Sequence, residues 1–452
     1  MNQQVKDRVQ EGFKERMDYD ELLNCMRCGF CLPSCPTYIE SGKNELHSPR
    51  GRIALMKGVV DGDIEPDEEV KRSLDMCLGC RACEPVCPSG VKYGHLLEEA
   101  RDIIYQEEKQ SLPVKGLRHL VFAQLFPYQQ RMVGLMGLVR FYQQTGVQSF
   151  TRKLGVLKAF PETMQIMEHV LPPIPKRKDI KNRPTQLKSL HKTRKKQVAF
   201  FSGCLMDTVF MQTNEATKKL LQYAGCDIVI PKTQACCGAL HGHSGEKERA
   251  KEMAKRNIIA FEEASVDYII TNAGGCGAFL VDYDHLLKAE PEWAQRAQAF
   301  TAKIKDVTAI LVELDFHKQP LQLDDEIVTY QDSCHLRNGQ KTFKEPRLLL
   351  QSIQGATYVE MNNADRCCGS AGIYNMLEPK MSMQILDYKM TQTKQTKAQT
   401  IVTANPGCLL QMMVGIEKHG DPETMRAVHI VDLLLEAVEN ARDRQEKGSV
   451  HR

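Results

Sequence analysis

The chain has 452 residues, 42% hydrophobic and 26% charged, with a formal net charge of +3 and 17 cysteines. That balance excludes a disordered or fibrous protein, and the length allows about three domains. The N-terminus carries no apolar export segment and the cysteine count is odd, so a cytoplasmic chain with reduced thiols is expected rather than a disulfide framework.

The opening MNQQVKDRVQEGFKERMDYDELL reads as charged helix. CMRCGFCLPSCP follows, placing Cys25, Cys28, Cys31, Cys35 and Pro36 in a C-x2-C-x2-C-x3-C-P run, and CLGCRACEPVCP repeats it with Cys77, Cys80, Cys83, Cys87 and Pro88. In this bacterial ferredoxin pattern three close thiolates hold three irons of a [4Fe–4S] cube and the fourth cysteine serves the neighbouring cube. The expected ligand sets are therefore crossed: Cys25, Cys28, Cys31 and Cys87 for the first cluster, and Cys77, Cys80, Cys83 and Cys35 for the second. Zinc fits less well, because two separated knuckles of two cysteines would leave the third cysteine of each run unused. Arg27, Arg50, Arg52 and Arg81 lie nearby in sequence and are candidates for raising the potential of an anionic cluster. Between the runs, Ser48, Pro49 and Gly62 punctuate a helix as cap, first position and stop. After them, HLLEEARDIIYQEEK sets Leu96, Leu97, Ala100, Ile103 and Ile104 on one apolar face. Residues 1–110 read as one mainly helical two-cluster unit.

Residues 111–196 read as a helical connector and a basic linker. The apolar stretch Leu120 to Tyr142 is broken by Pro127, Arg131 and Arg140, so it is not expected to span a membrane. From Leu112 to about Pro175 the pattern is helical and rich in Met, Leu and Phe, and a core or packing role is expected of it, with a docking surface for a partner or bilayer as the alternative. Lys176 to Lys196 holds ten Lys/Arg against one Asp and is expected to be a solvated linker, with an acidic partner or the anionic inner face of the plasma membrane as the alternative. No aromatic residues interleave with these charges, so a nucleic-acid partner is not expected.

Beyond the linker, strand and helix alternate. QVAFFSG, CDIVIP and VDYIITNAG are strand-like, and the same order recurs as EIVTYQDS, ATYVEM and TIVTANPG. The cysteines mark a duplication: Cys204 matches Cys334 at an offset of 130, Cys236 and Cys237 match Cys367 and Cys368 at 131, and Cys276 matches Cys408 at 132. Two like α/β domains, 197–320 and 321–452, are expected about an approximate two-fold axis. Strand ends collect ligands in such sheets, so Cys204, Cys236, Cys237 and Cys276, and likewise Cys334, Cys367, Cys368 and Cys408, are candidates for a further cluster or zinc, with a structural thiol group as the alternative. His241, His243 and His335 lie beside them as candidate ligands or proton carriers. Cys226 reads as a core thiol.

NAGGCGAFL offers G-x-G after a strand, but Leu280 replaces the third glycine of a dinucleotide loop, and no Walker-type sequence occurs. A flavin or nicotinamide site is not expected on this chain.

Two ferredoxin runs followed by two CCG-bearing repeats resemble the iron–sulfur subunits that serve flavin dehydrogenases and heterodisulfide reductases. CGFCLPSCPTY, SPRGRIALMKG, CRACEPVCPSGVKYG, GCGAF, CCGSAGIYN and VTANPGC are most similar to the iron–sulfur subunits of glycolate oxidase. The resemblance implies two [4Fe–4S] clusters here, FAD on a partner subunit, and electron relay from glycolate oxidation to quinone or another membrane respiratory acceptor. The basic stretch and the Met-rich helical region lead to the expectation of a cytoplasmic subunit loosely attached, as a peripheral contact, to the inner face of the plasma membrane or to a membrane-bound complex. Iron–sulfur subunits of lactate or glycerol-3-phosphate dehydrogenases are the near alternative, and a heterodisulfide-reductase-like thiol–disulfide module the distant one. Against the latter, Ala273 and Asn405 stand where such proteins carry the first cysteine of a closing C-x2-C pair.

Overall fold

The computed structural model describes residues 1–108, 110–160, 162–191 and 193–450. Lys192 of the basic stretch lies outside the described residues. In the N-terminal unit, helices Gln3–Arg16, Pro49–Asp61 and Tyr93–Glu107 pack together. Asn2 caps the first by accepting from the Val5 amide, and Val5, Val9 and Phe13, four apart, bury one stripe. Ser48 accepts from the Gly51 amide, Pro49 takes the first position and Gly62 ends the second helix at φ +86°, as the sequence predicts. All five residues of the predicted apolar face on the third helix are buried. Cys77 and Cys83 sit in this same core, so the cysteine runs are mounted on packed helices.

The basic stretch differs from the expected free linker. Arg177–Lys181 is helical, and strand β1 (Gln186–Leu187) pairs antiparallel with strand β3 (Cys226–Val229) at the edge of a sheet. Lys188 then reaches Asp227 at 3.1 Å. The one apolar residue able to seat this edge, Leu187, packs against the core beneath it, and that contact decides the pairing.

The first sheet continues with β2 (Lys196–Phe200), β4 (Tyr268–Thr271) and β5 (Ile304–Asp306) in the order β1-β3-β2-β4-β5. The second holds β6 (Gln322–Tyr330), β7 (Gln354–Tyr358), β8 (Thr400–Thr403) and β9 (Arg426–His429) in the order β7-β6-β8-β9, all parallel. Without β1 the two orders match strand for strand. Contacts between the sheets are reciprocal: helix Met211–Ala224, after β2, packs on helix Ile430–Val450, after β9, while helix Val307–Glu313, after β5, packs on helix Lys344–Gln351, after β6. That exchange is the approximate two-fold relation expected from the cysteine offsets. One apolar core runs through both sheets, from Val198 and Phe200 to Val328 and Leu434. Each such side chain contributes roughly 1.5–3 kcal/mol on burial, so the two sheets stabilise one body.

The connector is helical over Leu112–Arg118, Gln129–Gln144, Val147–Lys153 and Glu162–Val170, with a π-helical turn at His119–Leu125. Phe122, Met132 and Val133 are buried against the repeats, but much of the apolar surface between Leu112 and Phe160 faces outward. The expected packing role therefore holds for one side only. No helix among the described residues is long and apolar enough to cross a membrane.

Candidate functional site

Each ferredoxin run is bent by the same backbone device. Arg27 and Gly29 flank Cys28 at φ +55° and +88°, and Gly79 and Arg81 flank Cys80 at +63° and +58°. Left-handed backbone suits glycine, while an arginine held there costs on the order of 1 kcal/mol, which the surrounding packing must offset. The double reversal wraps each run about its middle cysteine.

Cys25, Cys28, Cys31 and Cys87, the expected first set, line one solvent-open void of about 430 Å³, with Cys83 at its inner wall. Arg50 closes one side, donating from Nη1 to the Arg27 carbonyl at 3.1 Å. Burial pushes the Cys31 thiol up to about 11, assisted by the neighbouring Cys25 and Cys35 sulfurs and opposed by Arg50.

Cys35 is buried, and its charge acts on members of both groups, on Cys31 as well as on Cys80 and Cys83. It occupies the N-cap of helix Pro36–Glu40, its Sγ 3.3 Å from Thr37 Oγ1. Its charge acts on both Cys80 and Cys83, whose thiols are pushed up by burial and by each other's neighbours. Arg52, fully buried, donates to the Ser73 carbonyl at 2.7 Å and to Thr37 Oγ1 at 3.1 Å, and leaves Nη1 buried without a partner. Burial opposes the Arg52 charge, but Cys77, Tyr93 and Cys35 more than compensate and raise its pKa. For Cys77, burial pushes the thiol up, yet Arg52, Arg101 and the Tyr93 hydroxyl prevail and lower it. An orphaned guanidinium N–H beside four gathered thiols fits an anionic sulfide-bridged cluster. Arg81 instead pairs with Glu84 at 3.1 Å and Asp282 at 2.5 Å, tying the unit to the first repeat.

In each repeat the four cysteines converge, each sulfur acting on the next. Cys204 and Cys236 are 3.6 Å apart, Cys236 contacts Cys237, and Cys237 contacts Cys276. Cys334, Cys367, Cys368 and Cys408 follow the same series. Among the described residues no three His, Cys, Asp or Glu side chains close around one point as ligands of a single ion, so the thiols are gathered rather than set about one atom. Cys276 and Cys408 occupy the first turns of helices Gly274–Val281 and Pro406–His419. The G-x-G weighed as a dinucleotide loop, Gly275 and Gly277, serves close packing: a Cβ on Gly277 would lie 2.3 Å from Gln340 and one on Gly275 3.2 Å from Asn405 Oδ1, and one on the adjacent Gly274 would lie 2.4 Å from Ser333 Oγ.

The repeats are not equivalent. Lys389, fully buried, donates to the Asn363 carbonyl at 2.6 Å, and burial lowers it to about 8 against the opposing pull of Cys368 and Cys367. The corresponding place in the first repeat is taken by uncharged groups, Asn257 donating to the Cys236 carbonyl at 2.9 Å and Tyr283 to the Cys237 carbonyl at 2.7 Å. Only the second repeat thus puts a cation under its cysteine pair. Cys80 and Cys367 share one apolar cluster, with Cys334 packed on it, and Cys334 is the first charge acting on Cys80 after burial. His335 Nε2 meets the Gly79 carbonyl at 2.9 Å, and Asn338 donates to the Cys80 carbonyl at 2.9 Å. The second ferredoxin group and the second thiol group therefore share a wall.

The candidate histidines hold other partners. His241 Nε2 meets the Phe122 carbonyl at 2.8 Å and anchors the connector, while His243 pairs with Glu98 at 2.7 Å and stacks edge-on against His335. Cys226 is a buried core thiol, raised to about 12 by burial. Sequence reasoning noted Asn405 only as a missing cysteine. Its carboxamide donates to Cys408 Sγ at 3.6 Å and accepts from the Gly275 amide at 2.9 Å, joining the two repeats at their thiol groups. Lys389 was missed altogether, although its signal was a charge falling on the stripe of Met381, Ile385, Leu386 and Met390 along its helix.

The 4Fe-4S dicluster domain model matches residues 21–91, the cysteine-rich domain model residues 198–281 and 328–413, and the model for the glycolate oxidase iron-sulfur subunit linker region residues 113–171. The chain is 65% identical over 430 residues to the probable glycolate oxidase iron-sulfur subunit of Bacillus subtilis, covering 95% of this chain and 97% of that protein. It is 32% identical over 412 residues to the glycolate oxidase iron-sulfur subunit of Escherichia coli, covering 90% and 94%. Lactate utilization protein A of an Exiguobacterium species is 33% identical over 250 residues, 54% of this chain and 99% of that protein. With both cysteine runs, the connector and both repeats matched in order, the chain belongs to the glycolate oxidase iron–sulfur subunit family.

Proposed function

We propose that this chain is the electron-relay subunit of a glycolate-oxidising complex, taking electrons from FAD on a partner subunit and delivering them toward a respiratory acceptor such as quinone. The division of labour is 1–110 for the two-cluster unit, 111–196 for attachment, and 197–320 and 321–452 for the thiol groups. When bound, the two [4Fe–4S] clusters supply one-electron chemistry, which a flavin that has taken a hydride needs in order to release its pair. The chain's own part is to hold the cubes with crossed thiolates and to oppose their charge with Arg52. The observation that carries this reading is the shared wall at Cys80 and Cys334, which joins the second ferredoxin group to a further thiol group across 254 residues of sequence. Full-length matching to glycolate oxidase subunits, connector included, favours glycolate over lactate as the substrate of the complex.

The flavin-free chain is expected to show no glycolate oxidation. Mixed anaerobically with its flavoprotein partner, glycolate should bleach its visible absorption, with lactate and glycerol-3-phosphate as comparisons. Turnover by the chain alone would overturn the assignment, and faster bleaching by lactate would move it to the lactate branch. A second expectation concerns Lys389. Lys389→Met removes the charge and keeps the bulk, and should weaken metal held at Cys334, Cys367, Cys368 and Cys408 roughly 10- to 100-fold, the usual effect of losing a supporting partner. Iron and zinc analysis after graded chelator treatment reads it, and equal chelator resistance would remove Lys389 from that role.

A further inference from the structure

Where the connector, the basic stretch and the first repeat meet, an open cavity of about 870 Å³ lies at the C-terminal ends of β2 and β3. Ser202, just past β2, and Ile230 and Pro231, just past β3, line it together with Gln130 and Val133 of the connector and Arg183 of the basic stretch. Crevices at this end of an α/β sheet collect ligands, and the volume falls in the range of roughly 300–1,000 Å³ usual for small-molecule sites.

Two charged side chains of the lining are buried, Asp207 at 1% and Lys218 at 3% exposure. Asp207 Oδ1 takes both of the carboxylate's partners, pairing with Arg183 and accepting from Asn214 at 3.4 Å, while Oδ2 is buried with none. A buried acceptor in that state lacks a donor. Lys218 Nζ donates to Glu215 at 2.5 Å, a carboxylate 47% exposed and outside the lining. Exposed Lys232 adds a third cation. Burial lowers the pKa of Lys218, with the Arg183 charge adding to it against Glu215, and burial lowers Arg183 as well. Three cations and one anion therefore line the cavity, and the cations disfavour one another.

The fold does not require these charges. At the offset that relates Cys204 to Cys334, the second repeat has Arg337 in place of Asp207 and Leu348 in place of Lys218, yet its strands follow the same order. One molecule satisfies both groups of the first repeat: an anion for the cations and, beside it, an O–H for Asp207. An anion without a hydroxyl meets repulsion at Asp207, and a neutral alcohol leaves the cations unanswered.

We propose that this cavity binds a small hydroxylated anion, whose carboxylate or phosphate meets Lys218 and Lys232 and whose neighbouring hydroxyl donates to Asp207 Oδ2. The class includes the 2-hydroxy acids, so the site gives this chain its own means of sensing them, apart from any flavin. Ser202 and Gln234 of the lining each lie two residues before a cysteine of the first thiol group, Cys204 and Cys236, so an occupant braces the backbone that carries it. The inference depends on the cavity and not on the relay reading.

The test is anaerobic calorimetric titration of the full-length, cluster-loaded chain without flavoprotein, so that no flavin substrate site is present. Lactate is compared with propionate, and glycerol-3-phosphate with propyl phosphate, each pair differing in its hydroxyl groups. The hydroxylated member of at least one pair should bind at least tenfold tighter than its partner, and the pair that responds distinguishes carboxylate from phosphate. Lys232→Glu, at an exposed position, should weaken that binding at least fivefold, and Lys218→Met at least tenfold. Asp207→Asn, which can put an N–H donor where Oδ2 stood, should bring the two members of the pair within twofold of each other. An unchanged visible spectrum shows that the variants fold. Failure of both hydroxylated anions to bind, equal affinity within both pairs, or wild-type affinity in Lys232→Glu would each overturn the proposal. Failure of glycolate-driven reduction with the flavoprotein, measured separately, would count against the relay reading and leave the titration standing.

Discussion

Cys35→Ser will damage the cluster held by Cys77, Cys80 and Cys83, not the one held by its own sequence neighbours. The expectation rests on the ferredoxin spacing, in which the fourth cysteine of each run serves the other cube. Cys35 is buried, seated against Thr37, and its charge reaches Cys80 and Cys83 as well as Cys31, while Cys25, Cys28, Cys31 and Cys87 line one void with Cys83 at its inner wall. Removing one thiolate takes one corner ligand from a cube and alters its spin state and stability. Electron paramagnetic resonance on reduced samples should therefore make Cys35→Ser resemble Cys80→Ser, and Cys87→Ser resemble Cys28→Ser. If Cys35→Ser instead matches Cys28→Ser, the crossed ligation is wrong and the two-cluster unit is wired within each run.

Arg52→Leu should have the second large effect, and on the same centre. Arg52 is fully buried on the helix between the two runs, with two of its donors held by Ser73 and Thr37 and the third free beside Cys35 and Cys77. Loss of the guanidinium leaves the Ser73 carbonyl without its partner and an anionic cluster without its nearest countercharge. We expect about 3 kcal/mol of destabilisation, from the scale for breaking buried charged hydrogen bonds. The midpoint potential of the second cluster should fall by on the order of 60 mV, one tenfold change in a one-electron equilibrium. The first cluster should keep its potential, because Arg52 acts on Cys35 and Cys77. Arg52→Lys keeps the charge but not the fork, so it should recover the potential more than the melting temperature. Equal shifts at both clusters, or none, would mean that Arg52 serves packing alone.

Much of this protein was determined within short windows of its sequence. The interval from Cys25 to Cys35, repeated from Cys77 to Cys87, is a property of single loops, because the distances between such sulfurs are limited by two or three intervening residues. Ser48, Pro49 and Gly62 likewise act on the backbone within one turn, and the helix they bound is where they place it. The offsets of 130 to 132 between matching cysteines revealed the duplication, since a copied fold keeps its register.

Tertiary structure decided the rest, and the reason is that burial and partnership between distant segments leave little local trace. β1, β5 and β9 are two to four residues long and exist by pairing at the edge of a sheet, so no periodicity announced them. Arg52 was one of four candidate arginines until packing enclosed it beside Cys35 and Cys77, and Lys389 read as an ordinary cation until packing buried it near Cys367 and Cys368. Asn405 looked like an absent ligand and is a clasp to Gly275, a residue 130 positions away. The inequality of the repeats could not follow from their matching cysteines, because it depends on which of them receives the loop carrying Cys80. The connector's periodicity identified its helices, but only the placement of the repeats against Met136 and Val139 determined that Leu138 and Phe141 are left outside.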